Sequence, residues 1–323
     1  MGGINRNLLW GGVVVLLAVI LPLIPGVSDY RVFQLTLVLV YAIALLGLNV
    51  LTGYNGQFSL GHGAFYAVGA YVAAIMMDKW DMPYYATVPA AAVVCLVVGF
   101  LFGLPALRLE GHYLALATFA LALAVPQMLK HKSVEYWTGG VQGIVIIKPD
   151  PPLGLPISQD QWLYYFTLFV AVVLFVCAWN MLRGRTGRAL VAIRDHSMAA
   201  GTMGINTALY KSLTFGVSAM YTGIAGALGA IAIQFVAPDS FTILLSITLL
   251  VGVVIGGLAS IPGAIFGALF VVYTPNIASD ISKAAPWAIY GIFLIAFMYL
   301  MPTGISGGLR KLFALVKSRA RSA

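Results

Sequence analysis

Charged side chains and cysteines are both scarce in this sequence. Only 9% of its 323 residues are Asp, Glu, Lys or Arg, and the chain has two cysteines, Cys95 and Cys177. Both cysteines lie inside apolar runs, so the sequence predicts no disulfide framework and gives no indication of a redox compartment. Small residues packed in the interior are the simplest interpretation of both.

Several motifs that carry chemistry are also missing. The sequence contains no Gly-Lys pair, which excludes a nucleotide-binding loop of the form GxxxxGK followed by Ser or Thr. Its four histidines are far apart and lack paired acids or thiols, so we expect no metal site. No apolar run carries a regular row of charges, as a proton relay or a voltage sensor does. We therefore expect no catalytic residues and no cofactor bound by this chain, and any ATP hydrolysis belongs to another chain.

Apolar residues dominate instead. They make up 61% of the chain and the mean hydropathy is +0.96, whereas an average soluble domain is roughly 45–50% apolar. Runs of about twenty apolar residues, each long enough to cross a bilayer, recur almost to the C-terminus. The sequence predicts an all-α polytopic membrane protein, one transmembrane domain over residues 1–323. The predicted segments, about ten by the length rule, are 8–25, 32–51, 62–77, 84–107, 113–129, 161–182, 211–236, 241–259, 262–279 and 285–302.

The eighth and ninth predicted segments have a second interpretation. Only a short link ending in Pro262 separates them, and Pro275 interrupts the ninth. They are either two crossings or one broken helix with a re-entrant piece, which a membrane tolerates only where protein covers the backbone. One or two of the segments are therefore expected to be broken or re-entrant.

The basic residues are distributed unevenly between alternate connections. With the N-terminus inside, twelve of the 18 Lys and Arg residues fall on the inner side and six on the outer side. Such residues collect on the cytoplasmic side of membrane proteins, so both termini and the connection at about 183–210 are expected to be cytoplasmic. The net charge of +8 follows from this asymmetry and needs no nucleic-acid partner. The inner set is Arg6, Arg108, Arg183, Arg185, Arg188, Arg194, Lys211, Arg310, Lys311, Lys317, Arg319 and Arg321.

The longest outer, or periplasmic, connection runs over about residues 130–161. It is rich in Pro and Gly and carries polar and aromatic residues that include Glu135, Trp137 and Gln142. A long loop is tolerated at low entropic cost, but loops of this length are often functional. We expect this loop to receive something that arrives from outside.

A stretch rich in glycine and uncharged polar residues follows the second predicted segment. Residues 53–71 read GYNGQFSLGHGAFYAVGAY, and so many glycines weaken a continuous helix. We expect a break, with a new helix starting near Ser59 or Gly61. The end of a broken helix binds a carboxylate or an ammonium group through its amide dipoles, which suits a zwitterionic amino acid in transit. The alternative is that the glycines only permit close helix packing. The candidate path residues are Asn49, Gln57, Ser59, His62 and Tyr66.

Residues 183–204 form a basic, mostly polar interruption between two apolar runs. Arg183, Arg185, Arg188 and Arg194 fall within twelve residues. An ordinary cytoplasmic loop explains such charges by itself. The sharper interpretation is a surface against which another protein docks.

Several ordered motifs resemble one transporter family. They are residues 48–65 (LNVLTGYNGQFSLGHGAF), 105–111 (PALRLEG), 138–140 (TGG), 187–194 (GRALVAIR), 199–206 (AAGTMGIN), 238–241 (PDSF) and 256–258 (GGL). In this order and at these separations they resemble the LivM-type permeases of branched-chain amino acid ABC transporters, over nearly the whole chain.

The resemblance implies a multi-pass permease subunit in a bacterial inner membrane. A LivM-like chain pairs with a second, LivH-like permease subunit, two cytoplasmic ATPase subunits and a periplasmic substrate-binding protein. The implied function is import of branched-chain amino acids (Leu, Ile, Val) by alternating access, powered by the separate ATPases. The same machine carrying urea, short amides or another small organic solute is the nearest alternative, and a stand-alone ion-coupled carrier or channel is the other.

The resemblance also implies a coupling helix in the cytoplasmic loop. Such importers carry a short helix, often written EAAxxxG, that sits in a groove of the ATPase, and residues 198–204 (MAAGTMG) match it with Met198 in place of the acid. Ala199 and Ala200 allow close approach, and Gly204 ends the helix. Arg188 and Arg194 are expected to pair with acids on the ATPase.

Overall fold

A computed structural model describes residues 11–12, 14–23, 28–107, 109, 111–152, 156–281, 286–300 and 303–308, and within these ranges the chain is mostly helical. The helices are α1 (Asp29–Asn49), α2 (His62–Trp80), α3 (Tyr84–Ala106), α4 (His112–Leu129), α5 (Glu135–Thr138), α6 (Gln159–Arg183), α7 (Arg185–Asp195), α8 (Ser197–Thr202), α9 (Thr207–Ile233), α10 (Ile243–Gly256), α11 (Ile261–Ile281) and α12 (Pro286–Leu300). Two short strands are β1 (Ile144–Val145) and β2 (Phe235–Val236).

Six helices in the described part of the chain are long and apolar enough to cross a membrane. They are α1 with its extension to Tyr54, α3, α4, α6, α9 and most of α11. Each overlaps a predicted segment, which confirms a helical protein with several membrane-length segments. The count of about ten and the orientation stay predictions. Residues 1–10 and 309–323, which hold both termini, and Arg108 lie outside the described residues.

Helices α1 and α9 form the centre of the fold. In their most apolar windows, 78% of the residues of α1 and 83% of those of α9 are buried inside the chain, against 22% for α4. Helix α9 packs against α1, α2 and α3. A Cβ on Gly69 of α2 would overlap the backbone of Gly223 on α9. Close helix packing, the alternative interpretation of the glycine-rich stretch, therefore accounts for Gly69.

Helices α10 and α11 form a corner against α1. Helix α10 has 14 residues, about 21 Å at the usual rise, which is shorter than a bilayer's roughly 30 Å hydrocarbon core. The chain turns at Gly257, with φ +115, and α11 continues for 21 residues with Pro275 inside it. The re-entrant interpretation of this region stays a prediction.

The outer connection at 130–161 folds back onto the end of α9. Strand β1 pairs antiparallel with β2, with Ile144 opposite Val236. Lys130 Nζ lies 2.5 Å from the Asp239 carboxylate just after β2. The all-α prediction does not include this ladder, because strands of two residues have no periodicity to detect.

Candidate functional site

The helix break lies between α1 and α2. Helix α1 continues as a π-helical turn over Val50–Tyr54, and α2 begins at His62, so the predicted break and restart are confirmed. Gly56 turns the chain with φ +74, which glycine adopts without steric cost. The Gln57 N–H donates to the Leu51 carbonyl at 3.2 Å. The break is therefore a hydrogen-bonded turn of defined shape.

His62 is fully buried and joins the break to α9 through a chain of hydrogen bonds. The Ser218 hydroxyl lies 2.6 Å from the Gly47 carbonyl of α1, which accepts only, so Ser218 donates there. Ser218 Oγ, 2.7 Å from His62 Nε2, therefore accepts the Nε2 proton. Nδ1 of the neutral ring is then the acceptor for the Ser59 hydroxyl, 2.9 Å away. The network fixes one tautomer of His62 and ties the break to both central helices.

Asn49, at the end of α1, holds the link between α10 and α11. Its Nδ2 donates to the Ser260 carbonyl at 2.9 Å and to the Gly257 carbonyl at 3.4 Å. Its Oδ1 accepts from the Ala259 N–H at 2.9 Å. A Cβ on Gly53 would collide with both the Asn49 amide and Ala259. The link and the break are therefore locked together, and Gly53 provides the space for this contact.

The five candidate path residues lie around the break but differ in what they face. Asn49, Ser59, His62 and Tyr66 are 0–5% exposed and belong to the packed interior. The Tyr66 ring stacks on that of Tyr41, with centroids 6.5 Å apart. Gln57, at 7% exposure, lines a cleft beside the predicted coupling loop.

Helix α8 lies in the predicted coupling loop and ends in a Schellman turn. The Ile205 N–H donates to the Ala200 carbonyl at 3.1 Å, and the Gly204 N–H donates to the Gly201 carbonyl at 3.0 Å. Gly204 has φ +84, the left-handed conformation that this turn requires. At the other end of α8, His196 Nδ1 accepts from the Ala199 N–H at 3.5 Å. Residues 196–205 thus form a compact, capped helical turn.

Helix α8 and the residue that follows it present exposed apolar side chains. Met198 is 81% exposed and Met203 is 83% exposed. Ala199 beside them is exposed, whereas Ala200 is 4% exposed and packs inwards. Arg188 on α7 and Gly204 are exposed as well. Among the predicted coupling residues, Arg188, Ala199 and Gly204 are therefore available to a partner.

Arg194, at the end of α7, connects the coupling loop to the helix break. Its Nη1 donates to the Gly53 carbonyl at 3.0 Å. Its Nε and Nη2 lie 3.0 and 2.9 Å from Asp195 Oδ1. The aliphatic part of Arg194 lies against Gly56, where a Cβ would come within 2.8 Å of Arg194 Cγ. The predicted coupling loop therefore contacts the backbone of the break directly.

A cleft of about 400 Å³ lies between the helix break and the coupling loop. Its lining contains amide, carboxylate, basic and apolar groups. Asn55 is 2% exposed, and its Oδ1 has no hydrogen-bond partner among the residues that the structure describes. The lining residues are Asn55, Gly56, Gln57, Phe58, Leu109, Gly111, Leu114, Ile193, Arg194, Asp195, His196, Ser197, Met198 and Lys211.

Sequence reasoning misses three members of this region, Asn55, Ser218 and Lys211. Ser218 lies 156 residues from His62, and no local pattern links the two. Lys211 enters the sequence argument only as one basic residue among the inner set. Asn55 is noticeable in the sequence, because it is an amide inside the glycine-rich break. Only the structure shows which amide of the break lines a cleft.

Comparison with known proteins assigns a family. Residues 30–302 match the family model described as branched-chain amino acid transport system, permease component. The chain is 31% identical over 293 residues to the high-affinity branched-chain amino acid transport system permease protein LivM of Salmonella typhimurium, covering 84% of this chain and 68% of the relative. LivM of Escherichia coli gives the same values. LivH of Escherichia coli, a permease protein of the same description, is 25% identical over 289 residues, covering 83% of this chain and 91% of the relative.

Proposed function

Because the chain belongs to the family of branched-chain amino acid transport system permease components, we propose that it is the transmembrane permease subunit of an ATP-binding cassette importer. Its cargo is a branched-chain amino acid, Leu, Ile or Val, which moves from periplasm to cytoplasm by alternating access. The chain is placed as a multi-pass protein in a bacterial inner membrane. The six membrane-length helices in the described part of the chain support this placement.

The proposed importer contains further subunits. We assign to it a second, LivH-like permease subunit, two cytoplasmic ATPase subunits and a periplasmic substrate-binding protein. The similarity of this chain to both LivM and LivH supports pairing between two related permeases. In this scheme ATP is hydrolysed by the ATPase subunits, and this chain binds no cofactor and performs no catalysis.

The observation that carries the mechanism is the contact between Arg194 and Gly53. A movement of the coupling loop pulls on the guanidinium group, which is hydrogen-bonded to the backbone of the π-helical turn. The turn is in turn locked to the α10–α11 link through Asn49. A push from an ATPase therefore reaches the helix break and this link through two short contacts, with no long relay.

The ATPase docks, in this proposal, on the exposed face of α8. Met198 and Met203 provide flexible apolar contacts, Ala199 allows close approach, and Arg188 offers a charge for an acid on the partner. Met198 replaces the acid of the family's usual motif. An apolar contact at Met198 then replaces the salt bridge that the acid would make with the ATPase.

The substrate path is placed beside the helix break. Gln57 is the candidate that reaches an open surface. The other four candidates act indirectly, by fixing the helix break beside the path; they are Asn49, Ser59, His62 and Tyr66. Buried side chains that are already hydrogen-bonded hold the neighbouring residues of a site in a fixed geometry. Specificity among Leu, Ile and Val is left to the binding protein.

Uptake by reconstituted vesicles tests the proposal. Vesicles contain this chain with or without its neighbouring permease, ATPases and binding protein, and radiolabelled leucine and urea are supplied outside. Leucine uptake that requires the complete set and ATP is the expected result. Vesicles that contain the complete set of subunits with a hydrolysis-deficient ATPase are the matched control. They should take up neither solute.

Two other results assign the chain differently. Urea uptake without leucine uptake, under the same requirement for ATP, keeps the machine and removes the amino acid cargo. Uptake by this chain alone, without ATPases, overturns the importer and supports a stand-alone carrier or channel.

A further inference from the structure

The cleft beside the coupling loop has the size of a small-molecule site. Its volume of about 400 Å³ falls in the roughly 300–1,000 Å³ range of ligand pockets. Its two sides belong to the two parts that the proposed mechanism couples. Residues 55–58 come from the helix break, and residues 193–198 come from the coupling loop.

The lining offers opposite charges and an apolar surface. Arg194 and Lys211 provide cationic donors, and the N-terminal end of α4, at Gly111, adds its partial positive charge. Asp195 provides a carboxylate. The apolar part of the lining consists of Phe58, Leu109, Leu114, Ile193 and Met198. Such a set complements a molecule that has a carboxylate, an ammonium group and an aliphatic side chain.

Asn55 is the residue that points to a ligand. Its Nδ2 donates to Gln57 Oε1 at 3.3 Å, but its buried Oδ1 has no partner within the described ranges. A buried acceptor without a donor is unfavourable, and buried polar atoms of this kind are rare in folded proteins. Because this atom has almost no accessible surface, an ammonium group in the cleft supplies the missing donor once the Asn55 side chain turns towards it.

We propose that the cleft binds a free α-amino acid with an aliphatic side chain from the cytoplasm and that this bound product slows further import. The proposal rests on the importer function above. A ligand seated between the break and the coupling loop stabilises the arrangement of both that the structure shows. Since a ligand favours the state to which it binds more tightly, the amino acid opposes the joint movement of loop and break that the ATPase drives.

Equilibrium dialysis of the full chain in detergent tests binding. Radiolabelled leucine is competed by unlabelled leucine, by leucinamide, which lacks the carboxylate, and by 4-methylpentanoate, which lacks the ammonium group. We expect both analogues to compete at least about tenfold more weakly than leucine, the factor that about 1.4 kcal/mol produces. Equal competition by all three overturns the proposal, because it indicates apolar partitioning alone.

Two variants locate the binding in the cleft. Lys211→Gln removes a cation, and Asn55→Leu removes the unpaired acceptor at similar volume; each should weaken leucine binding about tenfold or more. Lys132→Gln is the matched control, because Lys132 lies beyond the opposite end of α4. Lys211 is not in the packed core, so its variant tests the idea even if Asn55→Leu does not fold. Unchanged binding in Lys211→Gln contradicts the site.

Uptake into preloaded vesicles tests the regulation separately. The quantity measured is the ratio of leucine uptake by leucine-loaded vesicles to uptake by empty ones, for the complete transporter. Wild type should give a ratio below one half, and Lys211→Gln a ratio near one. A ratio near one in wild type ends the proposal while leaving the importer intact. Absence of uptake into empty vesicles counts against the importer itself, and the dialysis result then decides whether the cleft binds leucine.

Discussion

Single buried polar side chains determine the shape of the helix break. Ser218 is the clearest case, because it accepts the His62 Nε2 proton and donates to the Gly47 carbonyl. Ser218→Ala leaves the buried imidazole N–H without an acceptor, which costs about 1–3 kcal/mol. We expect a corresponding loss in the free energy of unfolding of the detergent-solubilised chain, measured by denaturant titration.

The matched control for this change is Ser279→Ala. Ser279 is exposed, and its hydroxyl donates to the Asn276 carbonyl within its own helix. That bond lies within one helix and joins no other part of the chain, so the expected loss is below about 0.5 kcal/mol. Equal losses for the two serine variants would show that the His62 network contributes nothing to stability.

A different test applies to Asn49, because its side-chain amide both donates and accepts hydrogen bonds. Asn49→Asp keeps the shape of the side chain but loses the Nδ2 donations to the Gly257 and Ser260 carbonyls, and it places carboxylate oxygen against them. A loss of at least about 3 kcal/mol is expected, because the buried charge keeps the Ala259 N–H as a donor but faces two carbonyl oxygens. Asn276→Asp, which loses one partly buried bond to the Val272 carbonyl, should lose less in the same titration.

The sequence alone locates these polar residues but not their partners. Asn49, Ser59 and His62 are conspicuous because uncharged polar groups are few in the apolar runs. The partners of Asn49 and His62 on other segments lie 156 to 211 positions away, beyond any local pattern. The sequence predicts Asn49 and His62 as path residues, and in the structure both form hydrogen bonds to other parts of the chain. Only the tertiary contacts reveal these bonds.

At the level of helices, contact between small residues sets the distance between α2 and α9. Gly69→Ala places a Cβ against the Gly223 backbone, which has no flexible group to move aside. Overpacking of this kind costs about 1–3 kcal/mol. Gly291→Ala on α12, where nothing lies within 4 Å of the new Cβ, should instead stabilise by about 0.5–1 kcal/mol through helix propensity. Opposite signs in the measured free energy of unfolding are the expected result.

The helix boundaries show which parts of the fold can be predicted from sequence patterns. The break after Tyr54 and the restart at His62 are predictable, because glycine density and polar residues interrupt an apolar run. The end of α8 at a glycine is also predictable from its motif. The β1–β2 ladder and the inward orientation of Ala200 are not, since both depend on which surface covers a short segment.

For the whole transporter, two arginines on α7 should behave differently. Arg188 is exposed and is proposed to contact the ATPase, whereas Arg194 is hydrogen-bonded to the Gly53 carbonyl and to Asp195. Arg188→Ala should reduce co-purification of the ATPase subunits. Arg194→Ala should leave the ATPases bound but lower leucine uptake by roughly 5–150-fold, because typical coupling energies are about 1–3 kcal/mol.

Co-purification and vesicle uptake, measured on the same preparations, separate these two effects. Loss of ATPase binding in Arg194→Ala would mean that this side chain contacts the partner, as the family resemblance alone suggests. Wild-type uptake in Arg194→Ala would mean that motion reaches the break by another route. The contact with Gly53 then holds the loop in place without transmitting force, and the motion reaches the central helices through the packing of α7 and α8 on α9.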